Sequence, residues 1–306
     1  MKQPHPFFLF VQLSRPWFLA AGVLFYALGV GMARYLGHPL VWGVVLNGQI
    51  WVSALQLCVH YLNEYFDHGE DAGHPQRTLF SGGSGVLGQG AGQLRPQVAL
   101  IAAGSLLAVL AVATHALLRS GQLNLTVGSL LALILFGALS YSVPPLHLAT
   151  SGYGELSTAI LLAALVPALG FTLQSGAMHR LLGLSTFPLV ALTLAAMLAL
   201  EFADYAQDLK VGKLTLLVRA GWEQGLRLHH ALLAAGYALL LGALTAGLPA
   251  AIGSMALFSL PLAGLQVWYL QRIAQGLKPN WLALTFNGVA IPFLTAYLLA
   301  QGFWLR

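Results

Sequence analysis

The amino-acid sequence predicts an all-α polytopic membrane protein with nine transmembrane helices around a central cavity. Of its 306 residues, 58% are hydrophobic and 8% are charged, whereas soluble domains carry about 25% charged residues. The charges are also unevenly spread, because long uncharged stretches separate them, at 16–33, 35–63, 96–118, 120–154, 156–179, 181–200, 228–271 and 279–305. A helix that crosses a bilayer needs about 20 apolar residues, so most of these stretches hold one span and the longest holds two.

The helices follow from these stretches in chain order. We expect them at approximately 17–36, 41–67, 97–118, 123–142, 154–174, 183–207, 227–247, 250–271 and 281–303. The division of the longest stretch rests on Gly247-Leu248-Pro249, since glycine and proline interrupt helices. No internal repeat or separate soluble domain is visible, so residues 1–306 are expected to form one transmembrane domain.

Two features of the chain have simple interpretations. A cleavable signal peptide is not expected, because the first apolar run begins only at Pro16, is full length and lacks a small-residue cleavage site. The single cysteine, Cys58, lies inside a predicted span and has no intrachain partner for a disulfide. We expect it to be a small apolar packing residue.

The distribution of Lys and Arg predicts the orientation in the cell membrane. With a cytoplasmic N-terminus, ten of the 14 basic residues lie on the cytoplasmic side and four lie on the other, as the positive-inside rule requires. A net charge of +5 on that side suits anionic headgroups or a phosphorylated substrate. No basic stripe or stacking module indicates nucleic-acid binding, and no obligate protein partner is evident.

The acidic residues form two clusters. The chain has only nine acids, and charges at membrane depth commonly cost ~2.5–3.5 kcal/mol each, so clustering them needs a compensating partner. Seven of the nine lie in two short segments, namely Glu64, Asp67, Glu70 and Asp71, and then Glu201, Asp204 and Asp208. Both segments fall at the cytoplasmic ends of even-numbered helices, the second and the sixth. We therefore expect them to face each other across one cavity that opens to the cytoplasm.

The spacing of the acids predicts a magnesium site. Asn63, Asp67 and Asp71 stand at i, i+4 and i+8, and Asp204 and Asp208 repeat the i, i+4 pair, so each set shares one helix face. Magnesium favours one or two carboxylates together with substrate phosphates. Neither cluster contains the His and Cys set expected of zinc.

Basic and glycine-rich segments follow both clusters. Arg77, Lys210 and Lys213 are placed to neutralise a diphosphate leaving group; positive-inside decoration would also account for them. Residues 69–92 contain eight glycines. Their backbone amides suit a phosphate cradle or a lid hinge, and a flexible loop is the plain alternative.

The chain resembles the UbiA superfamily of membrane prenyltransferases. That family has nine transmembrane helices and two Asp-rich motifs in cytoplasmic loops, after the second and the sixth helix. Its first motif, Asn-x3-Asp-x3-Asp with a following arginine and Ser-Gly, is matched by Asn63, Asp67, Asp71, Arg77 and Ser81-Gly82. Its second motif is matched by Asp204, Asp208, Gly212-Lys213, Thr215-Leu216, Val218-Arg219 and Gly221, and its loop after the fourth helix by 141–145 and 152–155.

Within that family, Phe80-Ser81-Gly82-Gly83-Ser84 and the Gly-Lys-x-Thr-Leu pattern look most like the 1,4-dihydroxy-2-naphthoate prenyltransferases, which make the isoprenoid quinone menaquinone. There are departures: Glu64 stands where Asp is usual, Glu201 where Asn is common, and Leu214 and Ser151 where basic residues are common. None affects the predicted metal-binding aspartates. The expected partners are a prenyl diphosphate and a small aromatic acceptor.

The resemblance implies a Mg²⁺-dependent transferase in which Asn63, Asp67, Asp71, Asp204 and Asp208 hold the metal, and Arg77, Lys210 and Lys213 bind the diphosphate. The metal would make diphosphate a better leaving group, and an acceptor ring would attack the allylic cation. Tyr65 and Tyr141 are candidates for stabilising that cation, and His60 for deprotonating the acceptor; packing alone also accounts for each. Glu201 is the better candidate for orienting the acceptor or taking its proton.

Other functions fit less well. A CDP-alcohol phosphotransferase should carry its acids in one continuous motif, whereas about 140 residues separate these clusters. A cation-coupled transporter would place its carboxylates near the midplane in repeated halves, and these lie at helix ends. Other acceptors remain open, including 4-hydroxybenzoate, homogentisate, chlorophyllide or haem side chains, and a glyceryl phosphate lipid. The prenyl chain length depends on helix packing.

Overall fold

The computed structural model describes residues 5–69, 77–90 and 92–306, and within these ranges it contains thirteen α-helices and no β-strand. The helices are α1 (Pro6–Ser14), α2 (Leu19–Tyr35), α3 (Trp42–Asp67), α4 (Pro96–Arg119), α5 (Leu125–Ser142), α6 (Gly154–Ile160), α7 (Val166–Ser175), α8 (Arg180–Val211), α9 (Leu216–Ala220), α10 (Trp222–Thr245), α11 (Ala250–Ala256), α12 (Leu260–Ala274) and α13 (Trp281–Trp304). A π-helical turn, Leu161–Leu165, joins α6 to α7.

The helices combine into nine membrane-spanning segments within the described ranges. Three of the segments are each formed by two consecutive helices, namely α1 with α2, α6 with α7, and α11 with α12. The other six are single helices: α3, α4, α5, α8, α10 and α13. Each of the nine is long and apolar enough to cross a bilayer. The predicted all-α membrane fold is confirmed. The predicted break at Gly247–Pro249 is also present, and Gly247 there has φ of 109°.

Helix limits differ most from the prediction in three places. The first segment, predicted at 17–36, already begins at Pro6, with a break at Arg15, where φ is 43°. The sixth, predicted at 183–207, continues to Val211 and ends on Gly212 in the left-handed conformation. The helix predicted at 227–247 begins at Trp222. The short helix α9 was not predicted, because five residues are too few to show a helical period.

Capping residues determine several of the helix starts. The side chain of Asn124 accepts a hydrogen bond from the Val127 amide at the start of α5 (2.9 Å), and Asn280 accepts one from Ala283 at the start of α13 (3.1 Å). The Thr215 side chain accepts from the Val218 amide at the start of α9 (3.4 Å). Each cap satisfies an amide that has no partner within its own helix.

A ring of helices surrounds a central cavity. Its walls come from α2, α3, α5, the α6–α7 segment, α8 and α13. Outside this ring, α4 packs on α3, α10 packs on α8, and α11 and α12 pack beside α13. Cys58 is buried in the contact between α3 and α4, with its Sγ 3.6 Å from the Ala103 carbonyl oxygen. This is the packing position that the sequence predicts.

Candidate functional site

The two acid clusters meet at one end of the central cavity, which has a volume of about 370 Å³. Asn63 and Asp67, on the last turns of α3, and Asp204 and Asp208, on the last turns of α8, all line it. The extension of α8 to Val211 places both of its aspartates on regular helix, so their i, i+4 spacing gives them one face. Asp71, predicted to join this set, lies outside the described residues.

Asp67 is buried and has three partners. Only 2% of the residue is exposed. Its Oδ2 accepts hydrogen bonds from Lys213 Nζ (3.0 Å) and Asn63 Nδ2 (2.9 Å), and its Oδ1 lies 3.2 Å from His147 Nε2. A buried carboxylate needs such partners to offset its desolvation. The sequence analysis did not identify His147, because this residue lies outside both acid clusters and only its position in the loop after α5 could have indicated it.

Lys213 carries a permanent charge at the site. Gly212 reverses the chain after α8, and the Lys213 amide then donates to the Asp208 carbonyl oxygen (2.9 Å). Burial acts to lower the pKa of Lys213, but the Asp67 carboxylate together with Tyr141 and Asp208 outweighs burial, and the pKa of Lys213 is raised above its ordinary value of 10.5. Lys213 therefore stays protonated throughout the neutral pH range.

The glycine-rich segment closes over the same end of the cavity. The Gly82 amide donates to Asp204 Oδ2 (3.2 Å), and Ser81, Gly82 and Gly83 line the cavity. Gly82 and Gly83 have φ of 78° and 66°, a conformation that favours glycine. Phe80 packs on Phe18, with ring centroids 5.8 Å apart. The segment thus lies against the acid clusters at this end of the cavity.

Glu64 fastens this glycine-rich segment to α3. Glu64 is only 4% exposed. Its carboxylate accepts hydrogen bonds from the Ser84 amide (2.7 Å) and the Ser84 hydroxyl (2.5 Å). Arg15 Nη1 lies 3.6 Å from the same carboxylate. The Glu64 that departs from the family pattern therefore has a structural role.

We expect Ser84→Ala to loosen the segment, because it removes one hydrogen bond to a buried carboxylate, worth about 1.5–3 kcal/mol. Proteolysis within residues 77–90 should become faster. Ser105→Ala is the matched control, since the Ser105 hydroxyl only donates to its own helix on an exposed face. Equal protease sensitivity in the two variants would contradict this role for Ser84.

The cations at the cavity differ in part from those predicted. Lys213 lines it, but Arg77 and Lys210 do not. Arg77 is exposed, and its Nε donates to the Gly82 carbonyl oxygen (2.6 Å); Lys210 is exposed on the last turn of α8. Arg15 instead lines the cavity, with its guanidinium carbon 4.5 Å from the Phe18 ring centroid. In the sequence, Arg15 was identifiable only as the charged residue that precedes the first predicted span.

Glu155 and Glu201 hold α9 against the cavity. Glu201 Oε2 accepts a hydrogen bond from the Leu217 amide (2.8 Å), and Glu155 Oε1 accepts one from the Leu216 amide (3.1 Å). Both carboxyl groups line the cavity. They therefore occupy two amides at the start of α9 that lack partners within the helix. A role of Glu201 toward the acceptor stays a prediction.

Of the three pocket residues predicted, His60 and Tyr141 line the cavity and Tyr65 does not. Tyr65 packs on Phe66 (centroids 5.2 Å apart) and on His68 instead. The physical reason is helical geometry, because a residue midway between Asn63 and Asp67 points to the opposite side of α3. The expected contact of Tyr65 with the pocket is therefore corrected.

The chain matches the UbiA prenyltransferase family over residues 22–287. Its fold is similar to a UbiA homologue from Archaeoglobus fulgidus bound to GPP and Mg²⁺, with a TM-score of 0.63, 17% identity, and coverage of 97% of this chain and 100% of that one. It is also similar to digeranylgeranylglyceryl phosphate synthase (TM-score 0.61, 12% identity, 97% and 98% covered). A third similar structure is the apo UbiA homologue from Aeropyrum pernix K1 (0.58, 16%, 93% and 96%).

No curated protein matches the chain in sequence. The solved structures are too distant in sequence to carry more than the fold, whereas the family match covers most of the chain. Both of the family's Asp-rich motifs lie within the matched range. The chain is accordingly a multi-pass membrane enzyme that belongs to the UbiA prenyltransferase family.

Proposed function

We propose that this enzyme transfers a prenyl group from a Mg²⁺-bound prenyl diphosphate to 1,4-dihydroxy-2-naphthoate, as in menaquinone synthesis. The observation that carries the proposal is the meeting of two acid clusters at one end of a cavity whose remaining walls are mostly apolar. The polar end suits a metal diphosphate, and the apolar part suits a prenyl chain. The A. fulgidus homologue bound to GPP and Mg²⁺ supports this arrangement.

The donor set fits magnesium. Asn63, Asp67, Asp204 and Asp208 offer carboxylate and amide oxygens to one volume, and oxygen ligands shared with phosphates are what magnesium prefers. We propose these four, with Asp71, as the metal ligands. Bound magnesium would neutralise the diphosphate and make it a better leaving group.

The cations complete the charge balance at the diphosphate. Lys213 and Arg15 line the same end of the cavity, and positive groups fixed there stabilise charge that develops on a departing diphosphate. Lys213 also offsets the buried charge of Asp67 (3.0 Å). Arg77 is proposed to position the glycine-rich segment, through its hydrogen bond to the Gly82 carbonyl oxygen, rather than to contact the diphosphate. Lys210 is proposed to contribute only to the positive charge of the surface.

The acceptor is proposed to lie between the acid clusters and the apolar part of the cavity. His60 and Tyr141 line the cavity from α3 and α5, and Glu155 and Glu201 line it from α6 and α8. The Tyr141 ring suits an allylic cation, and Glu201 suits a hydroxyl of the acceptor. The cover formed by Phe80 and residues 81–83 excludes water that would otherwise hydrolyse the prenyl group.

We also propose that the N-terminus and the site face the cytoplasm, since this orientation places ten of the 14 basic residues there. A cysteine introduced at exposed Lys210 should react with an impermeant maleimide in inside-out vesicles. Reaction in right-side-out vesicles only would reverse the orientation. Native Cys58 is buried and should not interfere.

The test of the reaction is product identification. The detergent-purified enzyme is incubated with Mg²⁺, radiolabelled geranylgeranyl diphosphate and a panel of acceptors. Prenylated 1,4-dihydroxy-2-naphthoate, lost on addition of EDTA, is the expected product. Preference for 4-hydroxybenzoate, homogentisate, a chlorophyllide or a glyceryl phosphate lipid would retain the reaction and replace the acceptor. Absence of product with every acceptor and several prenyl diphosphates would overturn the proposal.

A further inference from the structure

A second concave surface lies outside the central cavity, at the end of the molecule where the acid clusters meet. It is a groove of about 530 Å³ between the start of the glycine-rich segment and the start of α13. The described residues that line it are Arg77, Thr78, Lys278, Pro279, Trp281 and Leu282. Two of these side chains are cations and none is an acid. The groove is therefore suited to an anionic group.

The two cations reach the groove from separate parts of the chain. Arg77 begins the described part of the glycine-rich segment, Lys278 lies in the loop between α12 and α13, and both are exposed. Guanidinium and ammonium groups are the usual protein partners of phosphate. Because a guanidinium has five N–H donors, Arg77 can hold its own segment and bind a phosphate at the same time.

The groove lies at the depth of the lipid headgroups. Trp281 is the first residue of α13, which is long and apolar enough to cross the membrane, and tryptophan is enriched where membrane spans meet the headgroups. The hydroxyl of Tyr269, near the end of α12, accepts a hydrogen bond from the Asn280 amide (2.6 Å). This bond ties the loop that carries Lys278 to the same level.

An exposed apolar surface continues from the groove along α13. Leu282 and Phe286 are 55% and 60% exposed, and their i, i+4 spacing places them on one helix face. Leu284 and Thr285 are buried on the other side of the helix. Phe286 also contacts Phe80 of the glycine-rich segment (ring centroids 6.3 Å apart). A basic groove followed by an apolar face matches a phosphate headgroup with a hydrocarbon chain.

We propose that this groove binds an anionic membrane phospholipid, with the headgroup phosphate between Arg77 and Lys278 and an acyl chain along Leu282 and Phe286. Charge complementarity favours an anionic over a zwitterionic lipid, because the groove supplies two cations while a zwitterionic headgroup brings a cation of its own. The proposed orientation places the groove against the cytoplasmic leaflet, whose surface is negative.

The bound lipid would act on the glycine-rich segment through Arg77. Arg77 Nε donates to the Gly82 carbonyl oxygen (2.6 Å), and the Gly82 amide donates to Asp204 Oδ2 (3.2 Å). The Arg77 guanidinium also lies directly against Gly85, where a Cβ would collide with it. A phosphate that holds Arg77 from outside therefore restrains the segment that contacts the acid cluster of α8. Anionic lipid should slow hydrogen exchange of the amides within residues 77–90.

The first test is thermal unfolding of the enzyme in neutral detergent during titration with dioleoylphosphatidylglycerol or dioleoylphosphatidylcholine. Stabilisation by phosphatidylglycerol should be saturable and larger than stabilisation by phosphatidylcholine. Lys278→Gln should raise the phosphatidylglycerol concentration at half-saturation about fivefold, the effect of one cation near an anionic lipid surface. Equal stabilisation of the wild type by the two lipids would overturn the proposal.

Arg272→Gln is the matched control. Arg272 is an exposed cation on the last turn of α12, outside the groove, so its half-saturation concentration should stay within about twofold of wild type. Equal shifts in the two variants would mean that lipid responds only to the diffuse positive charge of this surface, and would overturn the site.

Hydrogen exchange gives a second measurement, which does not depend on a change in thermal stability. Phosphatidylglycerol should slow exchange within residues 77–90 in the wild type and in Arg272→Gln, and have a smaller effect in Lys278→Gln. Exchange in this segment that is unchanged by lipid in the wild type would contradict the proposed action through Arg77.

Two other ligands share the phosphate chemistry and are tested separately. Inorganic phosphate that stabilises the enzyme at the same concentrations as phosphatidylglycerol would assign the groove to a free anion and overturn the lipid proposal. Farnesyl thiodiphosphate is added with EDTA, which removes the Mg²⁺ proposed for the central site; stabilisation that Lys278→Gln weakens would assign the groove to the prenyl substrate and overturn it as well. None of these measurements requires turnover, so the lipid site and the proposed reaction can fail separately.

Discussion

Replacement of Asp67 by Asn is expected to lower kcat for prenyl transfer about 10²–10³-fold, the size of effect seen when a preorganised charge is removed from an active site. The Asp67 carboxylate is buried at the centre of the site, between Lys213 and His147. The substitution keeps the shape and one acceptor oxygen, so the fold should survive while the negative charge proposed to hold the metal is lost. Steady-state transfer of a radiolabelled prenyl group measures this effect.

A matched control for that substitution is Glu223→Gln. Glu223 is an exposed acid whose carboxylate accepts from Arg227 one turn away on α10 (2.6 Å), and exposed pairs of this kind contribute little to stability. Its replacement should change kcat by less than about twofold. If Asp67→Asn retained activity comparable to that of Glu223→Gln in correctly folded protein, the proposed metal role of Asp67 would be wrong.

Replacement of Lys213 by Met is expected to lower kcat/KM about 10²-fold, because it removes a fixed positive charge from the end of the cavity proposed to bind diphosphate. Met keeps much of the aliphatic length, so the change isolates the charge. It also leaves Asp67 without the Lys213 hydrogen bond (3.0 Å), and some loss of thermal stability should accompany the loss of rate. The measurement is kcat/KM for the prenyl diphosphate at saturating acceptor.

Lys210→Met is the matched control for Lys213→Met, since Lys210 is three residues away but exposed and outside the cavity. Its activity should stay within about twofold of wild type, as expected for a surface charge. The raised pKa of Lys213 adds a second check. Its charge is present below the ordinary value of 10.5 and is lost only above it, so Lys213 should add no titration step to the rate near neutral pH. Equal defects in the two lysine variants would contradict the assignment.

Hydropathy and charge were sufficient to predict the membrane fold. Eight uncharged stretches, the longest of them divided at Gly247-Leu248-Pro249, define nine spans whatever their packing, because bilayer thickness sets the length of each. The same reasoning predicted that the acids near Asp67 and Asp204 share one cavity, since both follow even-numbered spans. These inferences need only one-dimensional information, and the structure agrees with them.

The individual contacts of the site depend on packing that the sequence does not display. Arg15 precedes the first span by sequence, but the break in the chain at this residue brings it to the cavity wall. His147 reaches Asp67 from a loop 80 residues away. Tyr65 was assigned to the pocket by its neighbourhood in sequence, and helical geometry turns it away. Long-range contacts and irregular backbone thus account for most of the differences.

The most direct test of the account is a double-mutant cycle across the two acid clusters. Mg²⁺-dependent binding of an unreactive farnesyl thiodiphosphate is measured by calorimetry for the wild type, Asp67→Asn, Asp204→Asn and the double variant. If both carboxylates serve one metal diphosphate, the double variant should bind little more weakly than either single variant, because residues that share a ligand couple strongly. Additive losses in the double variant, or Mg²⁺-independent binding in the wild type, would contradict the single shared site on which the proposed function depends.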